Sequence, residues 1–317
     1  MKEIFDKIKK IIEQNYTFLI TGHIRPDADT IGSELAMYFI LTEIGKEVEV
    51  VHRDTLPEFL HFLPGIKNIT NTTKLKKYDV GIIFECPETS RINCDLDINS
   101  IKIIINIDHH QTRNNNLGIT LIDPLVSSCA ELVWEFLRNS GYNITKDIAL
   151  CLYTGIVSDT GKFQHVNTTS KTLRVAADLL DFGLDPSLIY RNLFGIKSIE
   201  TLKLIGLALT TLKVENNISY IEITKQMYEQ TGVNIIDIEE IITFAGMIQN
   251  IKVFVLFREL KNTDLIKVSL RSYGDIDVNK IAIKYGGGGH QHAAGFQIKG
   301  EISHIKQEIL TYLKNVL

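Results

Sequence analysis

Two clusters in this chain carry residue types that could do chemistry. At Ile103–His110 the sequence reads IIINIDHH, so that an apolar run delivers Asp108, His109 and His110 together. At Thr21–Ser33 it reads TGHIRPDADTIGS, placing His23, Asp27 and Asp29 after one apolar segment and before another. Alternation in an extended segment would point Asp27 and Asp29 the same way, one toward each ion of an adjacent pair. A third piece, GIVSDTGKF, sets Asp159 after the apolar run Ala149–Val157 and before Gly161. Taken singly, Asp29 or Thr30 would cap a helix and Asp159 would mark a turn. Adjacent histidines after a strand are harder to explain by packing and suit metal binding or phosphate contact. Imidazole plus carboxylate without clustered thiolate favours manganese, magnesium, iron or cobalt over structural zinc. Paired ions could hold a bridging hydroxide for attack on phosphorus and stabilise the leaving oxygen.

These residues need elements to position them. Apolar β-branched runs predict strands at Thr17–Thr21, Glu47–Val51, Val80–Glu85 and Lys102–Asp108. Helical patterns at Thr30–Ile44, Ser128–Asn139, Lys146–Ser158 and Ser170–Asp181 alternate with or follow them, and Gly183 with Pro186 marks a break. The alternation predicts an α/β domain over residues 1–185, a mostly parallel sheet with helices on both faces, whose ligands bind beyond the carboxyl ends of the strands. Leu193, Ile196, Ile199, Leu202, Ile205, Leu209 and Leu212 recur at helical spacing and predict a connector helix within 186–214. Residues 215–317 then read as a smaller mixed α/β domain, with strands at Ile218–Ile223, Val253–Glu259, Ile266–Arg271 and Ala294–Ile298 and helices near Ile238–Met247 and Val278–Tyr285.

Composition narrows the function class. With 44% hydrophobic and 23% charged residues, the 317-residue chain reads as globular, and its length suits two domains. A net charge of −4 supplies no global basic field for long nucleic acid. No apolar stretch approaches membrane-span length, and Met1–Lys10 is charged and amphipathic rather than a secretory signal. Four scattered cysteines without a CxxC pair read as reduced thiols, so the expectation is a cytoplasmic protein.

The HxxPDxDxxGS pattern, Asp-His-His, the aspartate of SDTGKF and the later GGGGH together resemble the DHH phosphoesterase superfamily across both domains. Within it the chain is similar to the NrnA-type group that degrades nanoRNA and dephosphorylates 3′-phosphoadenosine 5′-phosphate (pAp). The resemblance implies that His23 and Asp27 bind one metal and Asp29, His109 and Asp159 the other, with Glu85 bridging them. It implies that His110 contacts the scissile phosphate and that Asp108 orients a neighbouring histidine. At the bridging position the family has aspartate where this chain reads IIFECPE. The longer Glu85 moves its carboxylate outward, and a displacement of about 1 Å can cost on the order of 100-fold in rate. Asp79 and Glu88 are the alternative carboxylates, but neither suits the carboxyl end of the strand as well.

In the second domain, Gly286–Gly289 could offer backbone amides to phosphate, Arg271 and Ser272 end a strand with a guanidinium and a hydroxyl, and His290 follows the glycines. These residues (Arg271, Ser272, Gly287, Gly288, Gly289 and His290) are the expected substrate-binding set, with His292 as a bystander. His165, Lys162, Arg113 and Arg25 each touch phosphate or face solvent on this reading, and the aromatics, Trp134 included, read as core. The expected activity is two-metal hydrolysis of short single-stranded oligonucleotides or small nucleotides held between the domains. Manganese is the expected ion, magnesium or cobalt the alternatives, and a homodimer is a possible assembly. The competing readings are another enzyme of the superfamily, such as a pyrophosphatase or a dinucleotide phosphodiesterase, and a nucleotide-binding regulatory module weakened by Glu85.

Overall fold

The apolar runs of the first half are strands of one sheet. They are β1 (Thr17–Thr21), β2 (Glu47–Val51), β3 (Ile69–Thr70), β4 (Tyr78–Phe84), β5 (Ile101–Asp108) and β6 (Ile119–Ile122). Their order is β3-β2-β1-β4-β5-β6, and every pairing is parallel. Burial is most complete at the centre of the sheet, where β1 and β4 have neighbours on both sides. The chain builds outward from β1 to β3, then returns to β4 beside β1 and builds the other way. Parallel strands direct their carboxyl ends to one edge, and the crevice between β1 and β4, where the order reverses, is where such sheets bind ligands. This computed structural model describes residues 1–86, 88–110, 117–233 and 240–316.

One face of the sheet, with Phe18, Ile20, Val80, Ile82 and Ile105, packs under α1 (Lys2–Gln14), α2 (Ala28–Glu43), α3 (Cys129–Ser140), α4 (Lys146–Asp159) and α5 (Ser170–Leu180). The other face, around Leu19, Val51 and Ile83, is covered by single 3-10 turns and extended segments that bring in Ile92, Leu96 and Ile98. α2 and α4 cross closely because two glycines remove side chains at the contact. A Cβ on Gly32 would lie 2.4 Å from the Cys151 carbonyl oxygen, and one on Gly155 would lie 2.8 Å from an Asp29 carboxylate oxygen. The glycines therefore bring the end of α4 against the start of α2.

The chain divides into two compact units, Met1–Ile196 and Lys197–Leu317. The segment read as one connector helix is two helices: α6 (Pro186–Tyr190), continued by a π-helical turn Arg191–Gly195, belongs to the first unit, and α7 (Ile199–Thr210) to the second. Ser198 accepts from Thr201 N and so caps α7 as a new start. The second unit adds β7 (Lys213–Glu215), β8 (Ile218–Ile223), α8 (Lys225–Thr231), α9 (Ile241–Gly246), β9 (Val253–Glu259), β10 (Leu265–Ser272), α10 (Val278–Lys284), β11 (Gly288–His290), β12 (Ala293–Lys299) and α11 (Ile302–Val316). Its sheet runs β11-β12-β10-β9-β8-β7, parallel at β8–β9 and antiparallel elsewhere. α10 and α11 cover one face, and α7, α8 and α9 the other. Of the helix expected near Ile238–Met247, residues 238 and 239 lie outside the described residues. No helix among the described residues is long and apolar enough to cross a membrane.

Candidate metal centre

The end of β1 is fixed by a neighbouring segment. Asn93 N donates to the Gly22 carbonyl at 2.9 Å, Ile24 N donates to the Arg91 carbonyl at 2.9 Å, and His23 bridges Ile92 between them. His23 Nδ1 lies 2.7 Å from the Ile24 carbonyl oxygen, so that nitrogen carries the proton and Nε2 is left to face the crevice. Beneath this loop a buried pair, His52 Nε2 to Glu34 Oε2 at 2.7 Å, is joined by Asn93 Nδ2 at 3.2 Å from His52 Nδ1. The Asn93 amide donating to Nδ1 places the imidazole proton on Nε2, toward Glu34.

Asp27 and Asp29 do not lie in an extended segment as alternation suggested. Asp27 is the extended N-cap of α2, and its Oδ1 accepts from Asp29 N and Thr30 N, both at 3.0 Å. Asp29 is already helical and buried, and it turns toward the N-terminus of α3: Oδ2 accepts from Cys129 N at 2.7 Å and Oδ1 from Ala130 N at 2.9 Å. A helix N-terminus stabilises a carboxylate through its unpaired N–H groups, which explains how this buried charge is held. The two side chains thus diverge because helix geometry, not strand alternation, sets their directions.

Glu85 follows the last residue of β4. Its N–H donates to the Ile107 carbonyl at 3.0 Å, and its backbone is left-handed, with φ +55°. A buried glutamate avoids that region unless the surroundings impose it, and such strain gathers at functional sites. The turn carries the carboxylate across the crevice. Thr30 Oγ1 donates to Oε2, His23 Nε2 lies 3.5 Å from Oε2, and His109 Nε2 lies 3.2 Å from Oε1. From the last residue of α4, Asp159 Oδ2 approaches His109 Nε2 to 3.7 Å.

The donors fall into two groups. Atoms of His23, Asp27 and Glu85 lie within 4.8 Å of one another, and so do atoms of Asp29, His109 and Asp159. Glu85 has one oxygen beside an imidazole of each group. Asp108 stands behind them, buried, its Oδ1 accepting from His110 N and lying 2.9 Å from His110 Nδ1. Among the described residues two further groups overlap the first two, Glu85 with His109 and His110, and Asp29 and Glu85 with Cys129, a thiol that sequence reading did not count as a potential ligand. Burial, reinforced by Glu85 and Asp29, pushes the Cys129 thiol well above the usual range, and Sγ donates to the Ile107 carbonyl at 3.6 Å.

The electrostatics expose a demand for positive charge. Burial raises Asp29 well above the usual carboxylate range, with Glu85 and Asp159 adding to it. Burial likewise pushes Asp159 up to about 6. Burial opposes charge on the histidines, yet the Glu85 carboxylate outweighs it and pushes His23 up to about 9; Glu85 with Asp29 and Asp159 pushes His109 up to about 10. His109 Nε2 is buried and makes no well-directed hydrogen bond among the described residues. A crowd of carboxylates with imidazole nitrogens turned into it fits divalent cations coordinated by nitrogen and oxygen. The residues present therefore fit a metal pair.

In the second unit the expected substrate-binding residues sit differently from one another. Arg271 is half-buried near the end of β10. Ser272 is buried and its hydroxyl donates to the Ile276 carbonyl at 2.6 Å, which commits its only proton; His292 Nδ1 lies 3.1 Å from the same oxygen. His292 is thus the partner of Ser272. Gly288 and Gly289 of the glycine run, with His290, form the edge strand β11, hairpinned to β12. A Cβ on Gly287 would lie 2.2 Å from the Gly295 carbonyl oxygen, so close backbone approach requires glycine there. Gly288, Gly289 and His290 are exposed. In the first unit, Lys162 lies 4.4 Å from the Phe194 ring centroid, and His165 Nδ1 lies 3.2 Å from the Asp159 carbonyl. Arg113 lies outside the described residues.

Comparison with known proteins bears on both units. Residues 17–156 match the DHH family, N-terminal domain, and residues 218–316 match the DHHA1 domain. The chain is 33% identical to the bifunctional oligoribonuclease and PAP phosphatase NrnA of Thermus thermophilus, over 89% of this chain and 84% of that one. It is 29% identical to the protein of the same name from Bacillus subtilis, over 89% of each. The crystal structure of an exopolyphosphatase-related protein from Bacteroides fragilis superposes with a TM-score of 0.90 at 29% identity, covering 100% of this chain and 98% of that one.

Proposed function

The chain belongs to the DHH family, and from that premise we propose that it is a metal-dependent phosphoesterase acting on short oligonucleotides and on pAp. The observation that carries this reading is the Glu85 carboxylate, set between His23 and His109 at the point where the strand order reverses. His23, Asp27 and Glu85 would hold one ion, and Asp29, His109, Asp159 and the other Glu85 oxygen the second, with manganese the ion we assign. Bound there, a divalent pair supplies an activated water and positive charge against the leaving oxygen. The protein's own groups do the rest. The N-terminus of α3 holds Asp29 in place, and Thr30 and the left-handed backbone aim Glu85. Asp108 engages His110 Nδ1, leaving Nε2 of that half-exposed ring to meet a phosphoryl oxygen. Arg271, the β11 glycines and His290 would bind substrate phosphate and sugar rather than take part in bond breaking.

The test is direct. Purified protein incubated with di- to pentanucleotides, pAp and pyrophosphate across manganese, magnesium, cobalt and zinc should release mononucleotides or phosphate only with metal and only from the nucleotides. Hydrolysis confined to pyrophosphate would assign a different substrate. Nucleotide binding without turnover under any metal would identify a regulatory module.

A further inference from the structure

Three arginines, Arg25, Arg53 and Arg91, lie on segments that backbone bonds tie to the loop of His23. Arg25 stands between His23 and Asp27, and its left-handed backbone, φ +57°, is held by Arg25 N donating to Asp54 Oδ2 at 2.7 Å. Arg91 offers the carbonyl that accepts from Ile24 N, and Arg53 N donates to the Asn93 carbonyl at 3.1 Å. Those backbone bonds tie the three positions to the loop that presents His23. All three side chains are exposed. The Arg91 charge is felt at the Cys86 thiol, next to Glu85, and the Arg53 charge at the Cys94 thiol, in a chain whose net charge is −4.

The topology gives them a side. Asp159, His110 and Asp108 lie toward β5, whereas Arg25 and Arg53 follow β1 and β2, at the opposite flank of the crevice. The scissile phosphate would be neutralised at the donor groups; an adjacent phosphate would not. Guanidinium is the side chain best matched to phosphate oxygens, through paired N–H donors. We propose that Arg25, Arg53 and Arg91 form a second-phosphate subsite on the β2 side of the centre. It would take a phosphate one nucleoside away from the scissile phosphorus and so select substrates carrying at least two phosphates. The inference rests on the phosphoesterase reading and adds to it the requirement for a second phosphate.

The test compares wild-type enzyme with Arg53→Gln/Arg91→Gln, which leaves Arg25 beside the ligands intact, and with the triple variant that adds Arg25→Gln. The probes are pAp, the dinucleotide pApA, and bis(p-nitrophenyl) phosphate, which has a single phosphorus, all with manganese. KM for pAp or pApA should rise about tenfold or more, the equivalent of losing one charge-assisted contact. The rise for the single-phosphorus ester should be several times smaller. In both nucleotides the phosphate one nucleoside from the scissile phosphorus is the terminal 5′-phosphomonoester, so a rise for pAp and pApA together assigns the subsite to that group, and a rise confined to pApA assigns it to the 5′-phosphate of an oligonucleotide alone. Equal rises on all three probes, or none, would overturn the subsite. Anisotropy of fluorescently labelled pApA separates the two readings. If the wild type turned over no probe, the phosphoesterase reading would fail, yet binding that weakens in the double variant would uphold the subsite. Absent or unchanged binding would overturn it.

Discussion

Strand β4 has a carboxylate near each end, and the two have opposite fates. Asp79 lies near the start, where its Oδ2 accepts from Tyr16 N at 3.3 Å, Thr17 N at 3.0 Å and Thr17 Oγ1 at 2.9 Å, while Oδ1 meets Lys102 Nζ at 2.5 Å. The Lys102 ammonium and the Thr17 donors hold it well below the usual carboxylate range. Its lone pairs are consumed by the fold's own donors. Glu85, just past the other end, is buried on a left-handed backbone and faces two imidazoles, with Thr30 its hydroxyl donor. Burial alone would raise it, but His109 and His23 hold it low. A carboxylate satisfied by backbone and ammonium is structure; one that is buried, strained and turned toward imidazole nitrogens is poised for a cation.

The strongest way to break that contrast is to remove ligands around Glu85. Asp29→Ala and His109→Ala should each lower turnover by about 1,000-fold or more at limiting manganese, since each deletes a donor of the proposed ion pair. Metal content and dinucleotide hydrolysis on folded protein check this, and wild-type turnover in either variant would discard the ligand set.

A sharper probe changes Glu85 itself. Glu85→Gln removes the charge between the two groups and should cut metal loading and lower activity on the order of 100-fold. Glu85→Asp should bind metal and retain or raise activity, because aspartate tolerates a left-handed backbone better than glutamate and restores the shorter family side chain. Two ions per chain with normal turnover in Glu85→Gln would reject the bridge. Activity in Glu85→Asp from an inert wild type would favour the regulatory reading.

Away from the centre the effect should shift from turnover to affinity. Arg271→Ala is expected to raise KM for a dinucleotide about tenfold, the loss of one charged hydrogen bond, with kcat within a few-fold. A large kcat loss at unchanged KM would place Arg271 in the chemistry.

The contrast also shows what the sequence could and could not disclose. The runs at Thr17–Thr21 and Ile101–Asp108 are legible because burial on both faces demands continuous apolar β-branched residues, and polar residues at their ends then stand out. The helix α11 is equally legible, in Ile302, Ile305, Ile309 and Leu313 at steps of three and four, a signal that the expected elements above leave out. The direction of Asp29 was not legible, because it depends on α3, 100 residues away, offering its first N–H groups. Nor was the backbone of Glu85, which no local pattern encodes. Arg25, Arg53 and Arg91 are scattered in sequence and meet only through tertiary backbone bonds, so each reads singly as a solvated charge.

The smallest expected effect tests the quiet end of β4. Asp79→Asn keeps an oxygen that can accept from Thr17 but loses the charge opposite Lys102, an ammonium that is itself largely exposed. Surface pairs of this kind contribute about 1 kcal/mol or less. Catalytic constants should stay within about twofold, since Asp79 lies at the edge opposite the ligands, and the denaturation midpoint should fall by the equivalent of about 1 kcal/mol at pH 7. The pH dependence has a definite sign. A carboxyl held low in the folded state contributes stability above its unfolded pKa, about 3.9, and loses it as pH falls toward the folded value. The gap between wild type and Asp79→Asn should therefore be constant from pH 7 to about 5 and shrink below about pH 4. Urea midpoints across that range measure it. A gap that persisted undiminished into acid would mean that Asp79 acts through hydrogen bonds that asparagine cannot replace, and a loss of turnover would mean that the two ends of the strand are not separable.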